Sequence, residues 1–279
     1  MIYYFSGTGN SLHVARHLAD ALGENLCPMA PLLLPKGGVA NQQVPPRGDL
    51  EGVIGLVFPV YAWGIPNVVE QFVRNLRHSP KGGAGRGPAF FYAVMTCGDD
   101  MGYADKVLEK ALGRKLDAAF SVLMPDVYVC LPGFDVDSPE ECKEKYARED
   151  VQVKEIAACI SARKQVRQLK RGPFPLTKTY VIRPLFNRYL LTDKYFRVDA
   201  SKCISCGRCR KSCPVGNIIL CPDGEEHGKE GNEVPHWQSH CAGCLACYHA
   251  CPYHAINFGT MTQKKGQYNL LKQLNSDAG

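Results

Sequence analysis

The sequence predicts an α/β protein in which a doubly wound, parallel, five-stranded sheet is followed by a small α+β domain. Three observations predict it. Apolar runs of strand length alternate with amphipathic helical stretches over residues 1 to about 125, the pattern of a parallel sheet covered on both faces. A Gly-rich segment, Ser6, Gly7, Thr8, Gly9, Asn10 and Ser11, lies between the first run and the first helix. From Asp199 to Gly259 the composition turns to Cys, Gly and Pro, with two dense cysteine runs.

The elements follow in order. Met1 to Phe5 is short, apolar and aromatic, and Ser11 to Leu22 carries Leu12, Ala15, Leu18, Ala19 and Leu22 at helical spacing. The Pro- and Gly-rich stretch 28 to 50 is the hardest to read, and the second strand is expected near Leu32 to Leu34. Val53 to Val57 reads as a buried strand, Val68 to Leu76 as a helix, Ala89 to Thr96 as a strand, Ala104 to Leu112 as a helix and Phe120 to Met124 as the fifth strand. Pro139 to Leu169 is charged and free of internal Pro and Gly, with Ser138 placed to cap it, so one long helix is expected. Residues 175 to 197 are basic and aromatic without a clear period and read as a connector. The expected domains are 1–170, a connector 171–197, a Cys-rich domain 198–260 and a loose polar tail 261–279.

Of 279 residues, 45% are hydrophobic and 22% charged, which is globular composition rather than disorder. No stretch approaches the roughly 18 apolar residues that a membrane span needs. The N-terminus shows no basic leader, apolar core or cleavage site, so a cytoplasmic protein is expected. Fourteen cysteines in a chain of this kind favour metal binding over a disulfide framework. The formal charge of +6 points to bound anionic groups better than to nucleic acid, because such groups would offset much of it.

The glycine loop suits a phosphate. It offers backbone N–H groups, hydroxyls and a helix N-terminus. It has no G-K-[ST] ending, which excludes an ATPase loop, and no G-x-G-x-x-G, which favours a monophosphate over a dinucleotide.

Cys203, Cys206, Cys209 and Cys213 before Pro214, and Cys241, Cys244, Cys247 and Cys251 before Pro252, both spell C-x2-C-x2-C-x3-C-P. Two zinc sites would also accept four thiolates each, but zinc sites usually use CxxC pairs rather than a triple with a separate fourth ligand. This stretch resembles the bacterial-type ferredoxins with two [4Fe-4S] clusters. The resemblance implies that Cys203, Cys206, Cys209 and Cys251 hold one cluster and that Cys241, Cys244, Cys247 and Cys213 hold the other. The second run keeps the family's ending, Tyr253, His254, Ala255, Ile256; the first places Asn217 where Ala is customary. Cys221, Cys27, Cys97, Cys130, Cys142 and Cys159 read as spectators.

The N-terminal part resembles the flavodoxins, whose phosphate loop reads [ST]-x-T-G-x-[ST]. Pro59, Val60, Tyr61, Ala62, Trp63, Gly64 falls where that family places a Trp-Gly loop beside the flavin. The segment from Thr96 through Cys97, Gly98, Asp99, Asp100, Met101 and Gly102 to Tyr103 falls where it has a G-D loop ending in a stacking Tyr. The resemblance implies FMN, with Trp63 or Tyr61 over one face of the ring, Tyr103 over the other, and the Gly64 peptide free to turn toward flavin N5. The two halves together resemble the flavodoxin-ferredoxin fusion proteins of anaerobes. That implies electron transfer with a redox partner protein; homodimer formation is compatible with it. A reductase acting directly on a small organic molecule is the alternative, with His227, His236, His240, Tyr128 and Cys130 as proton-donor candidates.

Overall fold

Alternate side chains along each central strand enter opposite hydrophobic cores, and this period-two split builds the first domain. A computed structural model describes residues 1–33, 52–78, 90–222 and 233–270. Its main sheet contains β1 (Ile2–Tyr4), β2 (Leu26–Pro28), β3 (Val53–Pro59), β4 (Phe90–Cys97), β5 (Ala118–Leu123) and β6 (Arg167–Gln168). The order is β2-β1-β3-β4-β5-β6, with every pair parallel. The first five strands have the 2-1-3-4-5 order of a flavodoxin-like sheet, whose ligands sit outside the carboxyl ends of the strands near β1 and β3.

Ile54, Leu56 and Phe58 of β3 and Phe91, Ala93 and Met95 of β4 pack with α2 (Asn67–His78) and α3 (Ala104–Leu112). Val57 of β3 and Phe90, Tyr92 and Val94 of β4 pack with α1 (Asn10–Leu22) and α4 (Pro139–Ser161). α4 begins at a capping box in which Ser138 and Glu141 satisfy each other's backbone N–H groups. Its buried stripe is Cys142, Tyr146, Glu149, Val153, Ile156 and Ile160, so a carboxylate stands in an otherwise core-facing row.

Five expectations change. β2 forms at Leu26–Pro28, because α1 stops at Gly23 in the left-handed region and the chain pairs at once with β1; Ala30–Leu32 is a 3-10 turn led by Pro31. Leu34 of the expected strand and Ala89 of the β4 reading lie outside the described residues. The long helix ends at Ser161 rather than Leu169, with Arg163 at φ 48°. Beyond it, Arg167 and Arg171 both reach the wholly buried Asp105 carboxylate of α3. Those ion pairs draw the chain along β5 as a sixth strand, so the sheet has six strands rather than five. The connector is helical from Pro175 to Tyr189 through Pro175–Thr177, a π-turn Lys178–Ile182 and Arg183–Tyr189, with Pro175 at the favoured first position. The first part of the tail is packed: Thr262 and Tyr268 are buried. Residues 271–279 lie outside the described residues.

The second domain pairs Phe196–Val198 with Ile256–Phe258 and Ile218–Pro222 with Glu233–Trp237, both antiparallel. Short helices Arg208–Ser212 and Ala246–His249 overlap the ends of the two cysteine triples. A small core includes Phe196 stacked on Trp237 at 5.1 Å, with Phe258 and Tyr248. No helix among the described residues is long and apolar enough to cross a membrane.

Candidate functional site

The eight motif cysteines gather into two groups of four. Cys203, Cys206, Cys209 and Cys251 line one cavity together with Ile204, Leu220 and Tyr253. Cys213, Cys241, Cys244 and Cys247 lie within electrostatic reach of one another. Each fourth cysteine therefore sits with the other run's triple, because each short helix carries it away from its own loop. Burial pushes the Cys209 and Cys241 thiols up to about 11 and Cys244 to about 12. Backbone N–H groups, of Arg210 at Cys209 and of Gly243 at Cys241, pull the other way without reversing the shift. Bound iron is the cation that would make them thiolates.

Backbone amides also point at sulfur: Asn217 N–H donates to Cys213 Sγ at 3.2 Å and Ala255 N–H to Cys251 Sγ at 3.2 Å. The same four-residue offset recurs in both halves. Such bonds tune cluster potentials, and the donor sets fit iron-sulfur cubanes. The departure at Asn217 has a structural reason. Its buried side chain donates to Asp193 at 2.9 Å and accepts from the Gln238 and His240 amides at 3.2 and 2.8 Å. It ties the connector to the start of the second cysteine loop.

The phosphate loop leaves β1 and enters α1, with Gly9 at φ 106°, a conformation suited to glycine. Ser6 Oγ is buried with no hydrogen-bond partner, as a phosphate donor would be. Asn10 and Ser11 are committed elsewhere. Asn10 donates to Pro125 O at 2.9 Å and accepts from Tyr268, and Ser11 shares a hydrogen bond with Thr96 at 2.7 Å.

The Tyr61–Gly64 loop is closed by reciprocal backbone hydrogen bonds, and Ala62 and Trp63 both have positive φ, 47° and 56°. Two successive non-glycine residues in that region mark stored strain, which clusters at ligand sites. Tyr61 turns inward. Its hydroxyl lies against Gly7, and burial beside Cys244 and Cys241 holds its phenol well above the usual range. Both aromatics considered for the flavin face are half-buried, Tyr61 against the first core and Trp63 beside Lys178.

The connector helix supplies groups that the sequence reading missed. Thr179 Oγ1 donates to Trp63 O at 3.0 Å and accepts from the Tyr103 amide at 2.9 Å, bridging the Trp63 and Tyr103 loops. Lys178 lies 5.4 Å from the Trp63 ring and pairs with the buried Asp100. Arg183 packs on Gly64 and donates to Ile65 O at 3.0 Å, while its buried Nε has no partner. Burial lowers the pKa of that guanidinium, so an anion beside it would be welcome. Tyr103 is faced by Arg171 at 4.4 Å and Tyr180 at 6.2 Å. Asp99 is exposed and near Lys170, and Lys145 donates to Gly98 O. Cys97 is buried and pushed up to about 12 by that burial. The unpartnered Ser6 Oγ fits a flavin phosphate ester, and the unpartnered Arg183 Nε lies apart from it in the sequence, against Gly64 of the next loop.

Of the described reductase candidates, Tyr128 and Cys130 lie within electrostatic reach of each other. His236 and His240 are exposed in the second domain; Tyr128 packs on Phe186 and Phe134. Burial raises Cys130 to about 12, and His227 lies outside the described residues.

A profile described as a 4Fe-4S dicluster domain matches residues 195–252. An uncharacterised ferredoxin of Methanocaldococcus jannaschii is 34% identical over 76 residues, which are 27% of this chain and 92% of that protein. The chain belongs to the ferredoxin family. The ferredoxin domain is joined to a flavodoxin-like sheet, so the whole is a flavodoxin-ferredoxin fusion. Among solved structures, a flavodoxin of Streptococcus pneumoniae TIGR4 aligns at 14% identity and TM-score 0.34, covering 56% of this chain and 96% of its own. Rubredoxin oxygen:oxidoreductase of Desulfovibrio gigas aligns at 17% and 0.32, covering 58% of this chain and 36% of its own. An FMN-dependent NADH-azoreductase of Bacillus anthracis aligns at 12% and 0.32, covering 56% and 97%. The flavodoxin-like assignment rests on the strand order, not on these distant likenesses.

Proposed function

We propose that this fusion is an electron-transfer protein passing single electrons between two [4Fe-4S] clusters and FMN, to or from a redox partner protein. The carrying observation is a shared wall. A Cβ placed on Gly7 of the phosphate loop would stand 2.5 Å from Cys244 Cβ and 2.9 Å from Tyr61 Oη. The second cysteine group is therefore in van der Waals contact with the loop that would hold the flavin phosphate.

Bound there, the clusters and flavin would supply the one-electron chemistry. The chain's residues hold them close and dry. Cys244 and Cys247 are buried, and the half-buried Tyr61 covers Gly7 beside them, so water is largely excluded there. Cys206 and Ile204 of the first group are exposed, which makes that group the port for a partner. Lys202, Arg208, Arg210 and Lys211 beside it favour a partner with an acidic face. Eight thiols that must stay reduced until iron arrives suit a cytoplasmic setting.

The test is anaerobic reconstitution with iron, sulfide and FMN. Iron near eight per chain, one bound flavin and flavin reduction faster in the intact protein than with free ferredoxin domain added in trans are expected. Four irons, no retained flavin, or no intramolecular advantage would reject the proposal.

A further inference from the structure

On the face of the sheet opposite α2 and α3, a second constellation lies outside the redox site. His13 and His17 stand one turn apart on α1, and Glu149 reaches them from the buried stripe of α4. The Glu149 side chain is wholly buried, and neither oxygen has a hydrogen-bond partner. Glu149 Oε2 is 3.4 Å from His13 Nε2 and 3.2 Å from His17 Nδ1. A buried carboxylate without a partner is strongly unfavourable. The two imidazole rings face each other with centroids 4.1 Å apart, and a cation held by all three groups would give the carboxylate its partner.

We propose that His13, His17 and Glu149 bind a divalent transition-metal ion of the zinc class. Tetrahedral zinc with bonds of about 2.0–2.1 Å sets its ligand atoms about 3.3 Å apart, close to the separations seen here. Two imidazoles and a carboxylate are borderline donors that suit zinc better than calcium or magnesium. Asp150 Oδ1 is 3.3 Å from His17 Nδ1 and exposed, so it or water completes the shell. The ion would pin α4 to the helix that leaves the phosphate loop. The Tyr146 ring lies 5.5 Å from that of His13, and its hydroxyl bonds Tyr268, which bonds Asn10 of the loop. The site does not depend on the flavin reading.

The probe is zinc, given to the cluster-loaded full chain so that the motif cysteines are occupied. Elemental analysis after desalting should show one zinc per chain beyond iron, and zinc-edge absorption should show an N/O shell near 2.0–2.1 Å. His17→Ala and Glu149→Gln should each weaken zinc binding tenfold or more with iron and sulfide unchanged. If Glu149→Gln does not fold, His17→Ala on the half-exposed side of the cluster decides alone. Absence of bound zinc, a sulfur shell near 2.3 Å, or undiminished binding in the variants would overturn the proposal.

Discussion

Replacing Gly7 with alanine adds one methyl group at the contact between the two redox domains. Gly7 is not among the positive-φ glycines, so alanine meets no backbone penalty and the whole effect is crowding. The new carbon would stand 2.5 Å from Cys244 Cβ, 2.9 Å from Tyr61 Oη and 3.2 Å from Cys244 O. Ordinary carbon separations are roughly 3.5–4.0 Å, so about 1 Å must be recovered by moving either the phosphate loop or the second cysteine loop. Neither yields easily, because Cys244 is buried, Tyr61 packs against the first core and Asn217 anchors the start of that loop. Overpacking of this kind costs about 1–3 kcal/mol. Placed on the flavin side, that is roughly a 5- to 150-fold weaker FMN affinity. Fluorescence titration with FMN, alongside iron counting, reads it directly. Gly7→Ala protein that binds FMN as tightly as the parent, with unchanged thermal stability, would refute the shared wall.

Asn217→Ala removes three side-chain hydrogen bonds and leaves Asp193 and the His240 amide without that partner, while the Gln238 amide keeps the Asn217 carbonyl at 2.9 Å; thermal unfolding should show a loss of about 1–3 kcal/mol, and no loss would mean that the connector is not anchored there. Arg183→Met should weaken FMN binding tenfold or more, while flavin-free protein loses only the hydrogen bond to Ile65 O, about 1 kcal/mol; equal FMN affinity would remove Arg183 from the flavin site. In cluster-loaded protein at pH 8, Cys97, held up to about 12 by burial, should carry over a thousandfold less thiolate than an ordinary cysteine. Iodoacetamide followed by peptide mass mapping should therefore mark Cys159 and Cys221, both half-buried, well before Cys97. Early Cys97 labelling would contradict its place in the core.

What was legible from the sequence was local. Strand and helix periods placed β1, α1, β3, α2, β4, α3 and β5 to within a few residues, because each element's burial pattern is written in its own neighbours. The cysteine runs were legible through their resemblance to the bacterial-type ferredoxins, whose spacing they repeat. Ser138 announced a cap that the structure contains. The end of α4 and the sixth strand were not legible: they depend on Asp105, which lies about sixty residues earlier and draws in Arg167 and Arg171 through space. The same reason hid the closing of the connector over Trp63 and Gly64 and the docking of Tyr268 on Asn10. His13 and His17 share a helix face in any reading of the chain, but only the packing of α4 on α1 brings Glu149 to them. Sequence alone thus determined which ligand types are present and how they are spaced, whereas the tertiary fold decided which distant groups meet, because contacts between remote segments follow from how whole surfaces pack.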